Sequence, residues 1–214
     1  MSGDLLIYGS SGHARVIAET ALAAGWRVVG WADDDPSHLG REVDGLPVRA
    51  TGTEEAARKA VREGWQVVVG IGDNRARRRV FDELLGYGAR IATIVGPQAL
   101  LSPSATLGRG TVVFAAAVVQ AGARIGENVI LNTACSVDHD CAIGNHAHLS
   151  PGVHLGGTVE VGEGAHLGVG ASVRNNLTIG AWTLIGVGAA VVESIEAGVV
   201  AYGVPARPLS RPAE

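Results

Sequence analysis

His139 stands between two carboxylates in the run Val137-Asp138-His139-Asp140-Cys141. Imidazole changes charge near neutral pH, and an adjacent carboxylate raises its proton affinity, so this grouping has the makings of a general base. The same pair is also an ordinary surface ion pair, and the local text fits both. Neighbouring residues of a strand point to opposite sides, so a His139–Asp140 contact requires a turn or bulge there. A second candidate lies near the N-terminus, where Gly9-Ser10-Ser11-Gly12-His13 follows an apolar run and opens helical text. Backbone N–H groups in such a loop can cradle a phosphate, aided by the helix dipole. The acids Asp33-Asp34-Asp35 follow about 20 residues later, a spacing that also suits the ribose of a dinucleotide. The glycines fall short of the full dinucleotide pattern, so a phosphate cradle, an NAD site and a plain strand–helix turn all stay open. Arg75, Arg77, Arg78 and Arg79 are expected to form a solvated helix face.

The elements around these residues change character along the chain. Up to about residue 95, strand-like and helix-like text alternate: Leu5–Tyr8, then a helix from Ala14 to Ala24 closed by Gly25. A strand at Arg27–Ala32, a helix at Thr53–Glu63 and a buried strand at Val67–Val69 follow. The turn Gly70-Ile71-Gly72-Asp73-Asn74, a helix at Arg75–Leu85 and a strand at Arg90–Val95 complete the series. This alternation predicts a small parallel α/β sheet.

Beyond Pro97 the helical signal stops and a six-residue period replaces it. Every sixth position from Leu101 to Val191 is Leu, Ile or Val, and the position four further on is small or apolar, as at Ala117, Ala123, Ala147 and Ala165. Glycine often follows the aliphatic residue directly, as at Gly108, Gly126, Gly144 and Gly162. Such a period predicts short strands joined by a turn every six residues, with one aliphatic and one small side chain per hexad facing inward. Three hexads make a coil that climbs about 4.8 Å, one strand spacing. Cys135 and Cys141 both fall on the small inward position, which makes them core thiols.

Composition narrows the classes. The chain has 214 residues, 47% hydrophobic and 4% aromatic, with 31 glycines and a formal net charge of -4. A mildly acidic chain with no basic block carries no electrostatic footprint for nucleic acid. Its longest apolar run, Val112 to Val119, falls far short of the ~20 residues that span a bilayer. No charged-then-apolar leader opens the sequence, so no membrane partner and a cytoplasmic setting are expected, with both cysteines reduced.

The run from Asn132 to Cys141 (NTACSVDHDC), followed by Ile143-Gly144 and His148, resembles a specific group. So do Tyr8 to Arg15 (YGSSGHAR), Ile71 to Asn74 (IGDN) and the closing Tyr202 to Arg207 (YGVPAR). The group is the bacterial hexapeptide-repeat acetyltransferases that modify amino sugars on nucleotide-sugar precursors of surface glycans, with the related sialic acid O-acetyltransferases. The resemblance implies a Rossmann-like nucleotide-sugar domain over residues 1–96. It implies a left-handed parallel β-helix with a C-terminal tail over 97–214. The implied reaction moves an acetyl group from acetyl-CoA to the amine of a UDP- or GDP-linked 4-amino sugar, without a metal, in a homotrimer with shared sites.

Residue by residue, His139 matches the general base and Asp140 its acidic neighbour. Asn132 matches the residue that holds the sugar's amino group, and Val169 a sugar-side contact. His148, Gly157 and Val187 match positions along the acetyl-CoA groove. Ser11, Gly12 and His13 match the grip on the diphosphate, Asp33 and Asp34 contacts to the nucleoside, and Gly72 a further backbone contact. His166 lies one coil from His148 and either adds to the groove or is a surface histidine, while His146 and His154 are expected at the surface. The run Asp33-Asp34-Asp35-Pro36 lacks a lysine that some relatives carry nearby, which leaves uridine and guanosine both open. Rival readings are O-acetylation of sialic acid on the same fold, a zinc-dependent carbonic anhydrase of γ type built on the histidines, and a nucleotide-binding module with the β-helix as scaffold.

Overall fold

In the computed structural model, which describes residues 3–209, the opening apolar run becomes a buried central strand, β1 (Asp4–Tyr8). It is followed by α1 (Gly12–Ala23), β2 (Arg27–Asp33), β3 (Glu42–Val43), β4 (Leu46–Thr51), α2 (Gly52–Glu63), β5 (Gln66–Val69), α3 (Asn74–Gly86) and β6 (Arg90–Ile91). The sheet order is β3-β4-β2-β1-β5-β6, parallel throughout except for the β3–β4 hairpin. Strands buried on both faces carry continuous apolar text, and Leu5, Leu6, Ile7, Val67 and Val68 are all fully buried. After β4 the chain crosses to the other side of β1, so the order reverses between β1 and β5. The loops at their C-terminal ends therefore flank the crevice where α/β sheets of this kind bind ligands.

Three details depart from the sequence expectation. The strand expected at Arg90–Val95 is broken into Arg90–Ile91 and Ile94–Val95, with the Ala92 N–H turned to Val67 O at 2.8 Å. The hairpin at 42–51 had no counterpart in the expected strands. Its signal is Asp44-Gly45, both at positive φ (49° and 74°), the pair that a two-residue hairpin turn demands. The third departure is Arg77, which lies on the buried stripe of α3 and not on its solvated face.

The chain divides into two units, Met1–Pro97 and Gln98–Glu214. The second is a parallel β-helix of two-residue strands. Its first face stacks Leu100–Leu101, Val118–Val119, Ser136–Val137, His154–Leu155, Ser172–Val173 and Ala190–Val191. The second face stacks Thr106–Leu107, Arg124–Ile125, Ala142–Ile143, Glu160–Val161 and Thr178–Ile179. Val112–Val113, Ile130–Leu131, His148–Leu149, His166–Leu167, Leu184–Ile185 and Val200–Tyr202 form the third, with Arg207–Pro208 antiparallel at its end. The register advances one coil at a time, as in Val113↔Leu131, Leu131↔Leu149 and Leu149↔Leu167. The predicted aliphatic column fills the interior, with Leu131, Val137, Leu149 and Leu167 fully buried, as are Ala147, Ala165 and Ala171.

Each corner is turned by a residue in the left-handed region, recurring every six residues through Asn128, Ala134, Asp140, His146, Gly152 and Thr158. Asp140 (φ 58°) is one of these, so the required turn at His139–Asp140 is part of the fold's own period. Cys135 and Cys141 are buried free thiols, and burial pushes the Cys135 thiol up to about 12. His146, expected at the surface, is buried instead. It stacks in register with Asn128 one coil earlier, and the Asn128 side-chain nitrogen lies 2.9 Å from its Nδ1.

Glycine on the second face has a steric cause. A Cβ on Gly162 would lie 2.4 Å from the Ala181 backbone nitrogen, and one on Gly144 would lie 2.6 Å from that of Glu163. The next coil leaves no room for a side chain. Gly162→Ala is therefore expected to destabilise the fold by about 1–3 kcal/mol. Gly86→Ala, at a helical position with nothing within 4 Å, should be neutral or stabilising. Paired chemical denaturation curves check both, and equal midpoints for the two variants would contradict the steric argument.

Candidate active site

The first cluster forms where β1, β2 and β5 end. Gly9 (φ +104°) donates its N–H to Ala32 O at 2.7 Å, and Gly70 donates to Tyr8 O at 2.7 Å. A Cβ on Gly70 would sit 2.6 Å from the Ala14 Cβ, so glycine there lets α1 close on the strand end. Ser11 is the N-cap of α1 but its hydroxyl makes no capping bond, and the first turn holds no acidic residue. The N–H groups at Gly12 and His13 thus present the positive end of the helix without a side-chain cap.

Two acids close the other side. The Ser10 hydroxyl donates to Asp33 and the Tyr8 hydroxyl to Asp34, which also pairs with Arg79 at 3.6 Å. Burial alone would raise the Asp33 carboxyl, but Ser10, the Asp35 N–H and His38 together hold it below the usual carboxylate range. Burial, reinforced by Asp34, pushes the Tyr8 phenol well up, so it stays a donor.

Arg77 organises the third loop. It is 1% exposed and donates to the carbonyls of Ile71 (3.2 Å) and Gly72 (3.0 Å), while Asp73 caps α3 through the Ala76 N–H at 2.8 Å. Burial lowers the pKa of the Arg77 guanidinium and Asp73 opposes that; an arginine remains a cation at neutral pH. Burial, with the nearby Arg77 charge, pushes His13 down to about 4, so His13 is neutral at physiological pH. Ser11, Gly12, His13, Asp33, Asp34 and Gly72 thus all line the ends of these three strands.

The second cluster is at the corner between the first and second faces of the β-helix. The Asp138 carboxylate accepts the His139 backbone N–H at 2.8 Å, and His139 Nδ1 lies 2.9 Å from Asp140 Oδ2. A carboxylate only accepts, so Nδ1 carries the proton and Nε2 of the neutral ring holds the open lone pair. The bond to Asp140 raises the His139 pKa most; slight desolvation opposes it, and the charges of Asp138 and Asp140 add to it. The ring is 58% exposed. Gly157, expected along the cofactor groove, sits directly against it. A Cβ there would come within 2.5 Å of Nε2. Gly122, which no sequence signal marked, does the same for Asp140, where a Cβ would lie 2.6 Å from Oδ1.

The third cluster is on the third face and the corner that follows it. A cavity of about 430 Å³ is lined by His148, Ser150, His166, Val169, Val187 and Tyr202, among others. Val169 and Val187 are exposed, the latter 73%. The His148 and His166 rings stack at 4.6 Å, 8° from parallel. Asn132 Nδ2 lies 3.2 Å from His148 Nε2. His154 is exposed, beside Ser136 on the first face, and takes no part. Among the described residues, no three His, Cys, Asp or Glu side chains gather as metal ligands would, and no helix is long and apolar enough to cross a membrane.

The structure therefore brings Asn132, His148, Val169 and Val187 together, and His139, Asp140 and Gly157 together. It does not join these two groups within one chain. The whole first face of the β-helix lies between them.

Similarity to known proteins bears on both units. The PglD N-terminal domain family matches residues 4–84. The acetyltransferase domain of PglB from Neisseria gonorrhoeae, solved with acetyl coenzyme A, is 37% identical with a TM-score of 0.90, covering 98% of this chain and 100% of that one. PerB from Caulobacter crescentus, solved with CoA and GDP-perosamine, is 39% identical with a TM-score of 0.90, covering 97% of this chain and 98% of that one. WeeI from Acinetobacter baumannii shares the fold at 23% identity, with a TM-score of 0.87 over 97% of this chain and 100% of that one. No curated protein sequence matches the chain. Fold and relatives together define an acetyl-CoA-dependent β-helix acetyltransferase. The chain belongs to the family of nucleotide-sugar N-acetyltransferases that carry a PglD-type N-terminal domain.

Two outcomes follow from the His139 corner. Gly157→Ala should displace the imidazole and lower kcat by about 10–100-fold with an unchanged denaturation midpoint; a midpoint that falls while kcat holds would contradict the contact. As a candidate general base His139 works only when deprotonated, and Asp140 raises its pKa. Asp140→Asn should therefore move the acidic limb of the kcat/KM profile to lower pH and lower its plateau, read by a pH–rate series.

Proposed function

We propose that this protein N-acetylates the amino group of a UDP- or GDP-linked 4-amino sugar, with His139 Nε2 as the general base. The observation that carries the reading is the His139–Asp140 bond, which commits Nδ1 to a carboxylate and leaves the lone pair on Nε2 of a largely exposed ring seated where Gly157 has no side chain. In this reading the sugar amine attacks the thioester carbonyl carbon of acetyl-CoA. His139 takes a proton from the attacking nitrogen, the C–S bond breaks, and the proton passes on to the departing CoA thiolate. Asp140 strengthens the base and steadies the imidazolium.

The N-terminal loops take the nucleotide. Backbone N–H groups at Ser11, Gly12 and His13, at the start of α1, suit the diphosphate, and Asp33 and Asp34 suit the nucleoside hydroxyls, with Gly72 as a further backbone contact. Asn132 and Val169 are assigned to the sugar side, and His148, Gly157 and Val187 to acetyl-CoA. We place the reaction in the cytoplasm and in the pathway of a surface glycan. Because the two β-helix clusters lie on different corners, the reading calls for a homotrimer in which one chain's His139 faces the cavity of its neighbour.

The test is CoA release from acetyl-CoA with a panel of UDP- and GDP-linked 4-amino sugars, and with sialic acid. Turnover is expected only with amino-sugar acceptors. His139→Asn should cut kcat by about 10²–10⁴-fold while both ligands still bind. Acetylation confined to hydroxyl acceptors, or an unaffected His139→Asn enzyme, would overturn the proposal.

A further inference from the structure

His139 and His148 are held by bonds of opposite sense. The Asn132 Oδ1 accepts the backbone N–H of Thr133 at 2.8 Å, and a backbone N–H can only donate, so the orientation of the Asn132 amide is fixed. Its NH2 group then faces His148 Nε2 at 3.2 Å. An NH2 group also only donates. Nε2 must therefore accept, which excludes both the Nε2–H tautomer and the imidazolium, since each carries a proton on that nitrogen.

The ring plane is held from the next coil. His148 pairs in register with His166, and the two imidazoles lie 4.6 Å apart and 8° from parallel. Ser150, one coil above Asn132, repeats the diagonal bond: its hydroxyl oxygen lies 3.0 Å from His166 Nε2, where the Asn132 nitrogen lies 3.2 Å from His148 Nε2. His148 is 8% exposed, and the titratable side chains facing it along the cavity are His166 and Tyr202. An unscreened carboxylate like the one beside His139 is not among that lining.

We propose that Asn132 and His166 are positioning residues for His148: Asn132 locks it as the neutral Nδ1–H tautomer, and the His166 ring, anchored by Ser150, sets its plane. His148 then stands in the cavity wall as a fixed neutral ring, not as a second base. This role for His148 rests on the assignment of its cavity to acetyl-CoA, whereas the tautomer does not.

The experiment is a two-bond ¹H–¹⁵N correlation spectrum of the full-length protein labelled on histidine nitrogen, with the His148 signals assigned by their loss in His148→Gln. The expected pattern is a protonated Nδ1 and a bare Nε2. In Asn132→Asp, nearly the same size, the carboxylate can only accept, so the pattern should change to a protonated Nε2. Kinetically, His166→Ala should raise the acetyl-CoA KM about tenfold and leave the KM of the nucleotide sugar unchanged. His166→Phe, which keeps a flat ring, should restore most of that loss. A protonated Nε2 in the unsubstituted protein overturns the inference, as does His166→Phe behaving like His166→Ala. Lack of acetyl transfer with every acceptor would overturn the functional reading alone, and the spectrum would still decide the tautomer.

Discussion

Register is the constraint on which the rest of this molecule depends. Each coil of the β-helix lies on the one before it with an offset of one turn and no slip, as the ladder His148↔His166, Leu149↔Leu167 shows. Columns of identical environment follow. The column after the second face admits only glycine because the next backbone passes within 3 Å of a would-be Cβ at Gly144 and Gly162. At the corners, one residue in six takes the left-handed conformation, and Asp140 is the one that bends back to its neighbour's imidazole. Chemistry is thus placed by stacking: Gly157 lies against His139, and His166 against His148, because each pair occupies equivalent places one coil apart.

Two histidines of the β-helix hold their protons in opposite senses because their partners differ. His139 donates to a carboxylate, and that bond raises its affinity for a proton. His148 faces the NH2 of Asn132, which leaves its Nε2 no proton to carry. A third imidazole, His13, is kept neutral by burial and by the buried Arg77 cation in the N-terminal unit. Environment, not residue type, decides where each ring carries its proton.

Much of this was legible in the sequence, for a physical reason. A six-residue period imposed by packing writes itself into every hexad, so the β-helix, its inward aliphatic column and the buried cysteines could be read directly. The turn demanded by a His139–Asp140 contact was likewise implied. What escaped was set by three-dimensional neighbours without a local signature. Arg77 lies in a run of arginines that reads as a wet helix face, yet its guanidinium is sealed against the Ile71 and Gly72 carbonyls. His146 reads as a surface residue but meets Asn128 across a coil. Gly122 looks like an ordinary turn glycine, and Gly157 was read only as a groove position; the carboxylate and the ring beside them give the absence of a side chain its purpose.

The central claim is that catalysis unites the His139 corner of one chain with the His148 cavity of another, since a full face separates them within a single chain. Co-expression of His139→Ala chains with His148→Ala chains in equal amounts tests it directly. Random assembly into closed trimers leaves one site in four with both histidines, so activity of about a quarter of the unsubstituted enzyme is expected from two inactive parents. Mixed assemblies as inactive as either parent would place both histidines of each site in one chain and contradict the account.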